Sequence, residues 1–65
     1  MRAKVKVVRG RGLNVDVQVT LEDGRGFGIK TGIDHVDTPE KLREMVRFFA
    51  MDLFGVEVTE VEEAE

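Results

Sequence analysis

TPEKLREMVRFFAMDLFG, residues 38–55, is the stretch whose reading decides the fold. Its start is densely signalled. Thr38 suits the N-cap because its hydroxyl can accept from an orphan N–H of the first turn. Pro39 fits the first helical position, where φ is already right and no N–H is needed. Glu40 favours the positive end of the helix dipole. Asp37 as N-cap, with Glu40 closing a capping box, is the rival register. At the far end Gly55 suits the left-handed position just past the last turn. Between these caps Leu42, Met45, Val46, Phe49 and Leu53 recur at three- and four-residue spacing and so form one apolar face. Glu40, Arg43, Glu44 and Arg47 make the solvated side. Phe48 and Met51 fall outside the apolar stripe at about 100° per residue. They predict a second apolar strip, and hence a contact surface for a partner.

Everything before this helix reads as strand. Residues 3–9, AKVKVVR, alternate, with Ala3, Val5 and Val7 on one face and Arg2, Lys4 and Lys6 on the other. Residues 13–21, LNVDVQVTL, alternate without a break. Register must keep the apolar faces together. A loop over residues 10–12 with Gly12 left-handed therefore pairs Val7 with Val15 and Val5 with Val17, and sets Lys6 opposite Asp16. By the same test a loop over residues 22–24, with Gly24 left-handed, pairs Val19 with Phe27 and Val17 with Ile29. Asp16 then lies opposite Lys30. The third strand covers residues 25–31, and residues 32–37 connect it to the helix. After Gly55, residues 56–61, VEVTEV, predict a fourth strand, and the acidic end 62–65 is expected to fray.

The expected fold is α+β with the order β-β-β-α-β. Three meandering antiparallel strands come first; the fourth runs parallel to the first and pairs with its free edge. The spatial order is 3-2-1-4, with the helix on one face after a right-handed crossover. The other face is open and carries Lys4, Lys6, Asp16, Gln18, Thr20, Gly26, Gly28, Lys30 and Glu57. In outline this order resembles the partner-binding domain of HicB-type antitoxins. The resemblance is one of topology, and it implies a protein partner.

Sixty-five residues make a single domain, 1–65. A chain this short buries only about 60% of its unfolded surface. It has no cysteine, so neither a disulfide framework nor a thiolate metal site is available, and self-association is one remaining route to more burial. No signal peptide and no membrane span are expected, which places the protein in the cytoplasm. The absence of Ser, with Val, Glu, Arg and Lys abundant, resembles a thermophile's composition.

Residues 25–30, RGFGIK, resemble the RNP1 signature of RNA-recognition and cold-shock domains, where aromatics on a strand stack bases. Ile29 stands where a second stacking aromatic is usual, and the register turns Phe27 toward the helix. Outward-facing Gly26 and Gly28 weaken a strand unless something approaches closely, so they join Phe48 and Met51 as candidate interface residues. Arg9, Arg11 and Arg25 are the candidates for phosphate contact. Asp34, His35 and Asp37 form the one cluster with catalytic or metal-binding residue types. With no second His, and no nucleophile beside a base, that cluster is read as turn and cap residues. The expectation is a non-enzymatic protein-interaction module, homodimeric, with no cofactor and no metal. A nucleic-acid-binding module using Arg9, Arg11 and Arg25 is the alternative, and a metal-dependent enzyme using Asp34, His35 and Asp37 is the third reading.

Overall fold

The computed structural model describes residues 1–64. Its elements are β1 (Arg2–Arg9), β2 (Asn14–Leu21), β3 (Gly26–Gly32), a short 3-10 turn (Ile33–His35), α1 (Pro39–Phe54) and β4 (Glu60–Glu63). The four strands form one sheet in the order β3-β2-β1-β4, antiparallel except for the β1–β4 pair. The expected α+β class and strand order are both observed.

The helix begins and ends where its caps dictate. The Lys41 N–H donates to Thr38 Oγ1 at 3.2 Å, and Pro39 opens the first turn. Gly55 closes it at φ 67°, its N–H reaching the Ala50 and Met51 carbonyls. This left-handed conformation carries little penalty only without a Cβ. Thr38 is therefore the N-cap, and Asp37 instead pairs with Lys41 Nζ at 3.0 Å.

The second hairpin has the expected register, with Val19 opposite Phe27, Val17 opposite Ile29 and Asp16 opposite Lys30. The first does not. Val7 pairs with Val17 and Val5 with Val19, so Lys6 faces Gln18 in place of Asp16. The turn spans Arg11–Asn14, closed by Asn14 N–H to the Arg11 carbonyl at 3.1 Å. Gly12, at φ 61°, takes its first central position. Leu13 takes the second and is 73% exposed. Alternation constrains only the parity of pairing; moving the turn by one residue on each strand keeps every apolar side chain on its face.

The fourth strand starts later than expected. Residues 56–59 are not in the sheet, although Val58 is buried. They carry the chain from the end of α1 toward the sheet edge, where Thr59 N–H meets the Met1 carbonyl at 2.8 Å. Pairing with β1 then runs from Arg2–Glu60 to Val5–Glu63. Glu62 and Glu63, expected with the fraying end, are thus in the ladder; Glu65 lies outside the described residues. Backbone bonds, together with Arg2 Nε on Glu60 Oε2 at 2.9 Å, hold a strand too acidic to reveal itself by alternation.

The core comprises Ala3, Val5, Val15, Val17, Val19 and Leu21 from the sheet, Leu42, Val46 and Ala50 from the helix, and Val58. Ala50 is fully buried, whereas Leu53, expected on the inner face, is 54% exposed. Met45 and Phe49 are half-buried on the flank. Phe54 packs at the helix end, its ring 6.0 Å from that of Phe27. Among the described residues no helix is long and apolar enough to cross a membrane.

Candidate protein-interaction surface

The helix leaves a broad apolar strip uncovered. Phe48 is 65% exposed and Met51 51%, as the helical angles predicted; Leu53 is exposed too, but at the helix end, in line with the buried Leu42 and Val46 and on the other side from Met51. Phe48 and Phe49 meet edge to face, ring centroids 5.4 Å apart. This is an arrangement that aromatic pairs favour. Phe48 separates two open grooves. Met45 and Phe49 line one together with Asp34 and His35, which directly follow β3. Met51 and Asp52 line the other, with Glu57 and Val58. Leu53 was missed because it stands seven residues after the buried Val46 on the same line of the helix, so its angle gave no sign of its exposure at the helix end.

Gly26 and Gly28 lie on β3 at the edge of the sheet and do not share a surface with Met51. Their needs differ. A Cβ on Gly26 would stand 2.7 Å from the Val19 carbonyl oxygen, so the fold itself requires glycine there. A Cβ on Gly28 would meet nothing closer than the Val17 carbonyl at 4.0 Å. Gly26→Ala is therefore expected to lower the urea midpoint. Gly28→Ala should raise stability by about 0.4–1 kcal/mol by restricting the unfolded chain. Equal losses at both sites would contradict this assignment.

The three arginines do not form one site. Arg9 ends β1 and Arg11 sits in the first turn, while Arg25 begins the run into β3 beside the second turn, at the other end of the sheet. Two ends of an eight-residue strand lie about 23 Å apart. Arg25 is also engaged. Its Nε donates to Asp23 Oδ2 at 2.7 Å, its backbone N–H to Asp23 Oδ1 at 3.0 Å, and its guanidinium lies 4.9 Å from the Phe54 ring centroid. Hydrogen bonds from Arg25 hold the Asp23 carboxyl below its usual range. A depressed carboxylate favours the fold at neutral pH and loses that contribution as acid protonates it; this exposed pair contributes little. Arg25 thus ties the second hairpin to the helix end. Phe27 is half-buried beneath that helix end, where its ring faces Phe54 and is not free to stack a base.

Asp34 and His35 are exposed in the 3-10 turn. Lys41 Nζ reaches the Asp34 carbonyl at 3.1 Å as well as Asp37, so this cluster staples the turn to the first turn of α1. Among the described residues no three His, Cys, Asp or Glu side chains are grouped as metal ligands would be. No protein-family model, curated protein or solved structure matches this chain.

Proposed function

We propose that this chain is a non-enzymatic protein-interaction module that works as a homodimer, with Phe48 at the contact. The observation that carries this reading is the exposed strip on α1. Phe48 and Met51, three residues apart, each leave half or more of their surface in water on a helix that already has a buried face. A domain this small gains most by covering such surface, and aromatic plates with neighbouring Met are what adaptable protein contacts use. The tight uses found for Arg25, Asp37 and Lys41 within the fold also favour a binding role over a catalytic one.

Light scattering behind a sizing column, at two protein concentrations, is expected to give twice the 7.3 kDa chain mass. Phe48→Glu should keep the helix content and the melting temperature of the protomer. It should also weaken self-association by at least about tenfold, the effect of removing a contact hot spot. A wild-type monomer at both concentrations would refute the homodimer. Loss of folding in Phe48→Glu would refute the assignment of Phe48 to a free surface.

A further inference from the structure

The two edges of the sheet are built differently. β4 is four residues long and carries Glu60, Glu62 and Glu63. Short, charged edges of this kind repel other strands. β3 is seven residues long, GFGIKTG, with one charge and no proline. Lys30 is its one device for blunting an edge, against three glutamates on the shorter β4.

The hydrogen-bond phase of β3 follows from its two ends. Leu21 N–H donates to the Arg25 carbonyl at 2.7 Å, and Ile33 N–H to the Leu13 carbonyl at 2.7 Å. In an antiparallel ladder bonded pairs alternate. Residues 25, 27, 29, 31 and 33 therefore turn their backbone groups toward β2. Gly26, Gly28, Lys30 and Gly32 turn theirs outward, to the open edge. Three of these four are glycines; at Gly32 the Asp34 carboxylate and the His35 ring fill the space a side chain would take.

We propose that the β3 edge pairs antiparallel with β3 of a second copy, about a twofold axis at Ile29, giving one continuous eight-stranded sheet. The proposal rests on the homodimer reading above and names its surface. In this register Gly28 faces the partner's Lys30 and Gly26 the partner's Gly32, so all four outward residues are used, with about eight inter-chain hydrogen bonds. A shift that centres the axis on Lys30 would set two lysines directly opposite, which is unfavourable. A shift to Gly28 leaves Gly32 beyond the paired segment. Residues opposite one another in a sheet point to the same face, so both helices lie on one side. Phe27 and Ile29, half-buried because no strand lies beyond β3, gain neighbours. Of the apolar residues on α1, Met45, Phe48 and Phe49 line a groove with Asp34 and His35 in the turn after β3, whereas Met51 lies with Glu57 and Val58 in the segment leading into β4.

Two variants test this pairing. Lys30→Pro removes an outward N–H and no bond to β2, and proline is tolerated on an edge in that orientation. It is expected to give a folded protein of monomer mass, while Gly28→Ala remains a dimer. Ile29→Cys adds the sole thiol to a chain without cysteine. At the axis the two Cα atoms form a non-hydrogen-bonded pair about 4.5 Å apart, within reach of a disulfide. Under a glutathione redox couple this variant should therefore cross-link to a covalent dimer, and it decides the matter alone if Lys30→Pro does not fold. A Lys30→Pro dimer, or an Ile29→Cys dimer that does not cross-link, would overturn the edge pairing and leave the homodimer standing with its copies joined elsewhere. A mass that climbs past the dimer would overturn it too, since an open β3-to-β4 stack does not close. A wild-type monomer removes the homodimer and the edge pairing together.

Discussion

Leu21→Ala is expected to cost about 2–5 kcal/mol, the range for deleting a buried leucine side chain where the surroundings relax only in part. The whole domain, at about 0.05–0.15 kcal/mol per residue, holds about 3–10 kcal/mol. A large share of its stability would go with one side chain. Leu21 is 2% exposed. It stands opposite Ala3 on β1 and closes the second hairpin through its bond to Arg25. Neither neighbour can fill the space: Ala3 is too small, and Arg25 is held outward on Asp23. A urea titration should show a lower midpoint with an unchanged slope. The matched control is Leu13→Ala, expected to stay within about 0.5 kcal/mol of wild type because Leu13 is a solvent-facing turn residue. Comparable losses in the two variants would mean the turn at Arg11–Asn14 is misplaced.

That contrast also marks what was legible in the sequence. Alternation put Leu13 and Leu21 on the same face of one strand, and by parity alone they are equivalent. The faces, the strand order, the second hairpin and three left-handed glycines could be read because each follows from a local rule. Parity assigns a face, Asp-Gly and Gly-x-Gly mark turns, and Thr-Pro and Gly bracket a helix. The position of the first turn could not be read, since sliding it by one residue on each strand breaks no such rule. β4 was read too early for a related reason. Val56, Val58 and Val61 carry the strand-like composition, but the ladder depends on where the chain reaches the β1 edge, and there it runs EVEE.

At the candidate surface, Phe48 and Met51 were legible because they broke the helical stripe, and a residue that breaks a pattern carries information that conforming residues do not. The grouping of Arg9 and Arg11 with Arg25 was not sound. Charge type is visible in a sequence, but the end of the sheet on which a charge lies depends on strand direction. Arg9 closes an ascending strand and Arg25 opens the next ascending one.

The second large effect is expected at a position with no apparent importance in the sequence. Ala50→Leu should destabilise the protein by about 1–3 kcal/mol or more, the cost of forcing methylenes into a packed core. Ala50 has no exposed surface, and it shares the buried face of α1 with Leu42 and Val46. A larger side chain there must either push α1 away from the fully buried Val5 and Val17 or rotate it. Rotation in one direction would draw Met45 and Phe49 further out; in the other it would lift Phe54 from Phe27 and break the Arg25 contact. Leucine is as good a helix former as most residues, so an isolated helix would not register the change. A fall in the urea midpoint with helix content preserved at low denaturant would therefore report packing against the sheet. No loss of stability would mean that the inner face is the one the sequence alone suggested, Leu42, Met45, Val46, Phe49 and Leu53, with Ala50 at its margin. Leu53, Phe49 and Met45 would then be turned inward. The groove beside Phe48 would then lose Met45 and Phe49, and the exposed apolar surface of α1 would rest on Phe48 and Met51 alone.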